Sequence, residues 1–208
     1  MKRFDIITEA DARTLEVGST VTLARGGHVT PLAADTLRAR RVIVLADVPS
    51  VDESRLAPAA AVRRIAIGAD HSGLALKATL CDHFRGRGLA VTDVGTDTPD
   101  PVDYPDIAAR VARLVARGEA DAGIVIDGAG LGSTMAANKV DGVRAAMCTT
   151  RTLARYAREH NGAQVVTLGA TLIDAAEAVA IVETFLSTPM TEARYLRRLA
   201  KIAALERT

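Results

Sequence analysis

The sequence is poor in the residues on which nucleic-acid binding and membrane insertion depend. Its 208 residues include no tryptophan, three phenylalanines and three tyrosines, which leaves few rings for stacking against bases. There are 26 Lys and Arg against 25 Asp and Glu, so no net field attracts nucleic acid or an anionic membrane surface. No apolar run approaches the roughly 20 residues of a membrane-spanning helix. We therefore expect neither nucleic acid nor membrane as a partner.

Cysteine is also scarce, and its placement gives no sign of a metal or disulfide site. Only Cys81 and Cys148 occur, far apart and without metal-ligand spacing. Such usage is typical of a reduced, cytoplasmic setting in which one or both thiols are buried as small hydrophobic groups. The first residues are acidic and polar too early for a secretory signal. We expect a cytoplasmic protein that holds no metal.

After residue 63 the sequence alternates between apolar strands and amphipathic helices. Five short apolar segments, the first of them "RRIAIGAD", are separated by helix-patterned segments such as "DIAARVARLVARG". Apolar strands separated by helices predict a parallel sheet covered on both faces. The predicted fold class is therefore α/β, a doubly wound five-stranded parallel sheet that binds its ligand beyond the carboxyl ends of the strands.

The first part of the chain has a different pattern and no cluster of catalytic residue types. Residues 1–55 predict a small N-terminal α+β appendage, with a helix capped by Thr8, an extended segment, a helix after Pro31 and a strand. We interpret this appendage as a docking segment. The Ala- and Pro-rich residues 56–63 are interpreted as a linker, and residues 64–208 as the main domain.

The stretch "VIDGAGLGSTMAANK", residues 125–139, is the most informative local pattern. Gly128, Gly130 and Gly132 follow a β-branched run that ends at Asp127. Glycines at this point allow backbone N–H groups to converge on a phosphate or a developing oxyanion. A tight strand-to-helix turn would explain the same glycines by geometry alone. The spacing does not match a dinucleotide-binding fingerprint.

Other polar residues lie at predicted ends of strands and helices. Asp70 and His71 follow the first strand of the main domain, Tyr104 follows the second, and His160 and Asn161 end a helix. Each of them alone has an ordinary structural explanation. Together with the glycine stretch they indicate a polar site.

The C-terminal segment "EARYLRRLAK" is rich in arginine. Arg194, Arg198 and Lys201 fall close to one face of the predicted helix. Guanidinium groups in this arrangement bind phosphate well. An ordinary solvated helix face is the alternative.

Taken together, these segments resemble one enzyme family, that of ribose-5-phosphate isomerase B and the galactose-6-phosphate isomerase subunits. The resemblance covers about residues 63–207 and is carried by "IGADHSG", "DVGTDTPDPVDYPDIA", "GAGLGSTMAANKVDGVRAAMC", "AREHNGAQVVTLGA" and the arginine-rich helix. It implies a Rossmann-like fold, interconversion of aldose and ketose phosphates, and no cofactor. It also implies a homodimer, or a dimer of dimers, with active sites shared between subunits.

The resemblance assigns a role to each candidate residue. Asp70 and His71 would handle the sugar ring and its hydroxyls, and His160 would open the furanose ring beside Asn161. The other substrate-binding positions are Tyr104 in the pocket wall, Gly128, Gly130 and Gly132 in an anion hole for the enediolate, and Arg194 and Arg198 at the phosphate.

The sequence departs from the family pattern where the catalytic base is expected. Asp127 stands where many members have a cysteine, and Ser133 stands where others have a glutamate. Thr171 replaces the arginine usual after "LGA", and Ala129 replaces a common hydroxyl residue. A carboxylate in a dry pocket can serve as a general base, so Asp127 is the candidate base, with Ser133 as the residue to reconsider. The alternative makes Asp127 a cap for the following helix.

These observations lead to a sugar-phosphate isomerase, most simply one that converts ribose 5-phosphate to ribulose 5-phosphate through a cis-enediol. Isomerisation of another tetrose, pentose or hexose phosphate is the nearest alternative, and a non-catalytic sugar-phosphate-binding subunit is another. The N-terminal segment also resembles leader regions of bacterial microcompartment enzymes, through "ITEADAR" and "VTPLA". That resemblance implies shell or cargo proteins as partners.

Overall fold

A computed structural model describes residues 2–46 and 56–206 of the chain. The chain divides into two compact units, Met1–Val51 and Asp52–Thr208. Among the described residues, no helix is both long and apolar enough to cross a membrane.

The smaller unit is a three-stranded parallel sheet with two helices. Its elements are β1 (Arg3–Ile7), α1 (Glu9–Thr14), β2 (Thr20–Val29), α2 (Pro31–Ala39) and β3 (Ile43–Ala46). The strand order is β1-β2-β3. The helix α1 begins as predicted, because Thr8 accepts from the Asp11 amide and Asp11 accepts from the Thr8 amide at 2.9 Å.

The two faces of this small sheet differ: the helices cover one, and the other carries exposed apolar side chains. Right-handed crossovers place both helices on the same face of the sheet, where they enclose Ile7, Val21 and Leu37. The exposed fractions of Ile6, Ile43 and Leu45 are 47%, 55% and 46%. Parallel sheets are usually buried on both faces.

The larger unit contains the predicted five-stranded parallel sheet. Its strands are β4 (Arg64–Ala69), β5 (Ala90–Asp93), β6 (Ala122–Asp127), β7 (Ala145–Met147) and β8 (Val165–Gly169). Its helices are α3 (Leu74–Gly86), α4 (Tyr104–Ala116), α5 (Leu131–Ala137), α6 (Arg151–Glu159), α7 (Ala175–Ser187) and α8 (Ala193–Leu205). All strand pairs are parallel, in the order β5-β4-β6-β8-β7. The α/β fold class is confirmed.

Helices cover both faces of this sheet, as the apolar strands predicted. The helices α3, α6 and α7 pack on one face, against Ile67, Ile124 and Leu168 among others. The helices α4 and α5 pack on the other face, against Ala66 and Val125. Side chains that alternate between two buried faces explain why the central strands β4, β6 and β8 are largely apolar.

Both cysteines lie in the core of the larger unit. Cys81 is 4% exposed and Cys148 is 1% exposed, and both thiols are free. Burial raises the pKa of the Cys148 thiol to about 12. The prediction of buried small hydrophobic thiols is confirmed.

The strand order creates a crevice between β4 and β6. From β4 the chain crosses to β5 on one side and then to β6 on the other. In a doubly wound sheet, ligands bind at such a switch point, outside the carboxyl ends of the strands. Asp70 follows β4 directly and Asp127 ends β6, so both carboxylates lie at this crevice.

Candidate active site

The predicted site residues fall into two clusters at opposite edges of the five-stranded sheet. The carboxyl-edge cluster contains Asp70, His71, Tyr104 and the loop from Asp127 to Ser133, which follow strands or begin helices at that edge. The amino-edge cluster contains His160, Asn161, Arg194 and Arg198. His160 and Asn161 precede β8, and β8 separates the edges by about 13 Å at about 3.3 Å per residue.

Asp127 organises the glycine loop through hydrogen bonds. One carboxylate oxygen, Oδ1, accepts from the backbone N–H of Ala129 at 2.8 Å and from that of Gly130. The other, Oδ2, accepts from the N–H of Ser133 at 3.0 Å. The Asp127 side chain is almost fully buried, at 4% exposed. This geometry fits the cap alternative, and it fixes the direction of the carboxylate for any role as a base.

This arrangement changes the expected anion hole. Because the Gly130 N–H donates to Asp127, it does not point at a substrate oxygen in this structure. The N–H groups of Gly128 and Gly132 have no hydrogen-bond acceptor among residues 2–46 and 56–206. Gly128 and Gly132 therefore remain available as oxyanion donors, whereas Gly130 supports the loop.

Threonine hydroxyls from β8, from the turn after it and from α5 bind the loop carbonyls. The Gly128 carbonyl accepts from Thr171, at 3.1 Å from its N–H and 2.7 Å from its hydroxyl. The Gly130 carbonyl accepts from the hydroxyls of Thr134 at 2.7 Å and Thr167 at 2.9 Å. Thr171, at the position of the family's arginine, thus stabilises the loop itself. The hydroxyl of Thr167 was not singled out from the sequence, since it lies within an apolar strand.

Asp70 is joined to the glycine loop through Ser72. The Asp70 carboxylate is 6% exposed and accepts from the Ser72 N–H at 2.9 Å and from its hydroxyl at 2.5 Å. The Ser72 Oγ lies 3.7 Å from the position that a Cβ on Gly128 would occupy. In the sequence Ser72 belongs to the polar stretch "ADHSG" beside Asp70 and His71, but no role was predicted for it.

Tyr104 and His71 complete the carboxyl-edge cluster. A Cβ on Gly132 would lie 2.6 Å from the Tyr104 hydroxyl oxygen, so the phenol packs directly on this glycine and excludes any larger residue there. The ring nitrogen Nδ1 of His71 accepts from the Val102 N–H at 3.3 Å. This bond ties the segment before Tyr104 to the end of β4.

Ser133 is a buried hydroxyl without a partner. Ser133 is 0% exposed, and its Oγ has no hydrogen-bond partner within the described residues 2–46 and 56–206. Its backbone N–H is the group that donates to Asp127 Oδ2. An unsatisfied buried hydroxyl costs free energy, which keeps Ser133 a candidate for a functional contact.

At the amino edge, His160 lies between two tyrosines. Its ring stacks on Tyr156, with centroids 4.8 Å apart and an interplanar angle of 16°. The Tyr195 ring lies 4.9 Å away on a tilt of 36°. The Asn161 amide donates to the Tyr156 carbonyl at 3.3 Å. The tyrosines therefore orient the imidazole, and this role was not predicted from the sequence.

The arginine-rich helix α8 brings positive charge to the same edge. Arg194 donates to the Tyr195 hydroxyl at 3.2 Å and pairs with Glu192 at 2.6 Å. The hydrogen bond to Tyr195, followed by the charge of Glu192, raises the pKa of the Arg194 guanidinium. Arg198 is exposed on the same helix. Both side chains are accessible to an anion.

A buried lysine supports the loop after β5. Lys77 on α3 pairs with Asp93 and with Asp97, each at 2.8 Å, and donates to the Thr96 carbonyl at 2.7 Å. The sequence held a signal for this, since Lys77 occupies a core-facing position of an amphipathic helix, but the signal was overlooked.

Among the described residues, no group of three or more His, Cys, Asp or Glu could hold a metal ion.

Comparison with known proteins shows the family of the larger unit. Residues 65–202 match the Ribose/Galactose Isomerase family. The chain belongs to this family. The matched residues include the five-stranded sheet apart from Arg64, and both clusters, and they exclude the smaller unit.

Relatives in three bacteria show the extent of the similarity. Ribose-5-phosphate isomerase B of Escherichia coli is 38% identical over 145 residues, which is 70% of this chain and 97% of that protein. The structure of the Clostridium thermocellum ribose-5-phosphate isomerase B is 45% identical, with a TM-score of 0.68 over 69% of this chain and 97% of that one. The Mycoplasma genitalium enzyme, solved with bound ribulose-5-phosphate, is 38% identical, with a TM-score of 0.66 over 69% of this chain and 95% of its own. The family resemblance predicted from the motifs is confirmed.

Proposed function

We propose that this protein is an aldose–ketose isomerase that interconverts ribose 5-phosphate and ribulose 5-phosphate through a cis-enediol. The observation that carries the proposal is the carboxyl-edge cluster. Two buried carboxylates, Asp70 and Asp127, and a glycine loop with unused N–H groups meet at the switch point of the sheet. One structural neighbour was solved with bound ribulose-5-phosphate, which supports a pentose phosphate as the substrate.

The reaction moves one proton between adjacent carbons. A base takes the proton from C2 of the open aldose, the enediolate forms, and the proton is returned to C1. The proton of the C2 hydroxyl moves to O1 in the same conversion, which gives the ketose. Asp127 is the proposed base, since Oδ2 accepts a single N–H and keeps room for a second donor. The N–H groups of Gly128 and Gly132 would stabilise the oxyanion as its charge develops.

The amino-edge cluster would act before and beside this step. His160, held between Tyr156 and Tyr195, would transfer the proton that opens the furanose ring. Arg194 and Arg198 would bind the phosphate, for which guanidinium groups are well suited. Because β8 separates the two clusters within one chain, the complete site would use the amino-edge cluster of a second subunit.

Exposed apolar side chains beside both clusters support such a dimer. Leu131 and Met135 on α5 are 56% and 67% exposed, and Leu153 and Tyr156 on α6 are 46% and 41% exposed. A two-fold axis would pair the α5 surface of one subunit with the α6 surface of the other, twice over. Burial of these surfaces would place each glycine loop opposite a partner histidine.

The first experiment measures isomerisation and substrate choice directly. Purified full-length protein is assayed with ribose 5-phosphate and with a panel of tetrose, pentose and hexose phosphates. We expect the highest kcat/KM for ribose 5-phosphate, together with solvent exchange of the ketose C1 proton. Preference for another sugar phosphate would move the proposal to that substrate, and binding without proton exchange would leave only a sugar-phosphate-binding subunit.

The dimer is tested by one surface change. Met135→Glu places a charge in the proposed contact, so we expect a monomer in solution and a large loss of turnover. Leu205→Glu, at a similarly exposed apolar side chain (70%) at the end of α8, is the matched control. A Met135→Glu protein that remains both dimeric and active would refute this interface.

The smaller unit would serve as a docking segment rather than as part of the chemistry. Its sheet presents the half-exposed Ile6, Ile43 and Leu45, and exposed apolar surface of this kind marks interaction sites. A microcompartment shell or cargo protein is the proposed partner. The test fuses residues 1–55 to a fluorescent protein beside shell proteins, and diffuse fluorescence would contradict the proposal.

A further inference from the structure

Two arginines, the half-buried Arg144 and the fully buried Arg158, have no part in the chemistry described so far. Arg158 on α6 is 0% exposed, and within residues 2–46 and 56–206 it forms no ion pair. Burial and, to a smaller extent, the charge of Arg144 together lower its pKa to about 10. A buried guanidinium without a carboxylate is costly unless hydrogen bonds replace its water. Its hydrogen bonds therefore indicate what it holds together.

Both arginines bridge the same two segments. Arg158 donates to the Ala163 carbonyl and to the Ala59 carbonyl, each at 3.0 Å. Arg144 donates to the Leu56 carbonyl at 2.6 Å and to the Gly162 carbonyl at 3.0 and 3.1 Å. Residues 56–59 are called the strap below. Each guanidinium joins the strap to the loop 160–163, which begins with His160 and Asn161.

The strap packs closely on this loop. Leu56 is 2% exposed, and Pro58 is buried as well. Gly162 adopts a φ of +54°, and a Cβ there would lie 3.1 Å from the Leu56 carbonyl oxygen and 2.7 Å from Leu199 on α8. The loop is thus held between the strap and the arginine-rich helix, with no space for a side chain at Gly162.

We propose that Arg144 and Arg158 are positioning residues that hold His160 and Asn161 in place by tying their loop to the strap. The strap lies within the segment interpreted from the sequence as a linker. In this proposal it supports the amino-edge cluster. This inference rests on the proposed function, in which His160 opens the sugar ring. A displacement of about 1 Å at a catalytic group can cost about 10²-fold in rate.

The affected step can be separated from the rest of the reaction. Ring opening moves the proton of the C1 hydroxyl to the ring oxygen as the C1–O4 bond breaks, giving the aldehyde and a free C4 hydroxyl. Ribulose 5-phosphate has no furanose ring to open, because its C5 oxygen carries the phosphate. Exchange of its C1 proton with solvent therefore needs only the carboxyl-edge chemistry and phosphate binding.

The test uses the full chain with single substitutions. Arg144→Met and Arg158→Met remove the guanidinium groups, and Arg144→Lys and Arg158→Lys are the conservative variants. Arg151→Met, on an exposed side chain of the same helix, is the control. We expect turnover of ribose 5-phosphate to fall about 10–10²-fold in the Met variants, with ketose proton exchange at saturation nearly unchanged. Partial rescue is expected in the Lys variants. An equal loss in both assays, or no loss in either, would overturn the proposal.

A second measurement does not depend on activity. The N–H of Gly162 donates to the Arg158 carbonyl at 3.1 Å, and that of Ala163 donates to the Ala157 carbonyl at 2.9 Å. In substrate-free protein, hydrogen exchange at these amides should accelerate in the Met variants and stay unchanged in Arg151→Met. If exchange at these two amides is equally slow in the Met variants and in wild type, the proposed role of the strap is rejected, even if the protein is an isomerase. If hydrogen exchange follows this pattern but the wild-type protein does not isomerise ribose 5-phosphate, only the proposed function is rejected.

Discussion

Replacement of Asp127 by asparagine distinguishes between two roles of this residue, a catalytic base and a helix cap. Asparagine keeps the shape of aspartate but cannot take up the substrate proton. If Asp127 is the base, turnover should fall about 10²–10⁴-fold. KM should change little, since the phosphate and hydroxyl contacts lie on other residues.

The same substitution has a stability cost that follows from the hydrogen bonds. The amide oxygen can still accept from Ala129 and Gly130, but the amide nitrogen would then face the Ser133 N–H, donor against donor. One lost and one repulsive contact cost about 1–3 kcal/mol. For a chain of this length, that lowers the melting temperature by about 2–4 °C per kcal/mol. The protein should stay folded.

Asp127→Cys supplies the matched comparison, because it restores the residue of many family members. The thiol can serve as a base but is a weak acceptor for the N–H groups of the loop. We expect Asp127→Cys to be less stable than Asp127→Asn and yet more active. Steady-state kinetics with melting curves would check both. Near-normal turnover in Asp127→Asn, with only the melting temperature lowered, would show that Asp127 is a cap and would turn attention to Ser133.

Three further outcomes are expected. Arg194→Ala and Arg198→Ala should raise KM more than they lower kcat, because the phosphate is unchanged in the reaction and each charge-assisted contact contributes about 1.5–3 kcal/mol; steady-state kinetics would show this, and an unchanged KM in both would place the phosphate elsewhere. Lys77→Met should cost about 1–3 kcal/mol, since it leaves the partly buried Asp93 and the Thr96 carbonyl without their donor, and an unchanged melting temperature would contradict that estimate. Cys148 should resist alkylation at pH 8 in the native protein and react on unfolding, because burial raises its thiol pKa to about 12 and only the thiolate reacts; rapid native labelling would mean that the core opens there.

Much of the fold was predictable, because burial on both faces leaves a clear mark in the sequence. Apart from Arg64 at the start of β4 and Asp127 at the end of β6, these two strands are apolar at every position, which alternating half-exposed strands are not. The helices carry caps and glycine stops that mark their ends. Thr8 and its partner Asp11 show this at the level of single hydrogen bonds.

The composition of the site was predictable, but the use of each residue was not. Asp127 could be placed at the end of a strand, yet its choice of N–H partners depends on how the glycine loop turns in three dimensions. Thr171 appeared in the sequence only as a missing arginine, whereas its hydroxyl holds the Gly128 carbonyl. Arg158 lies on a helix whose other arginines are solvated, so periodicity alone gave no reason to expect a buried charge. Such contacts join segments distant in sequence, and local patterns carry no record of them.

Removal of the smaller unit tests whether the larger unit alone forms an active dimer. A chain starting at Asp52 keeps the larger unit whole, including the Leu56 and Ala59 carbonyls that accept from Arg144 and Arg158. We expect this chain to be dimeric and active, with lower solubility if the smaller unit shields apolar surface.

A chain starting at residue 60 lacks those two carbonyls and leaves one guanidinium N–H donor of Arg144 and one of Arg158 unpaired, each at a cost of about 1–3 kcal/mol. It should melt lower and should lose turnover of ribose 5-phosphate. Mass in solution, melting temperature and isomerase rate, measured side by side, distinguish the two chains. If both chains are equally active, the strap is dispensable. If the chain from Asp52 is monomeric and inactive, the smaller unit builds the subunit interface, and its role as a docking segment must be abandoned.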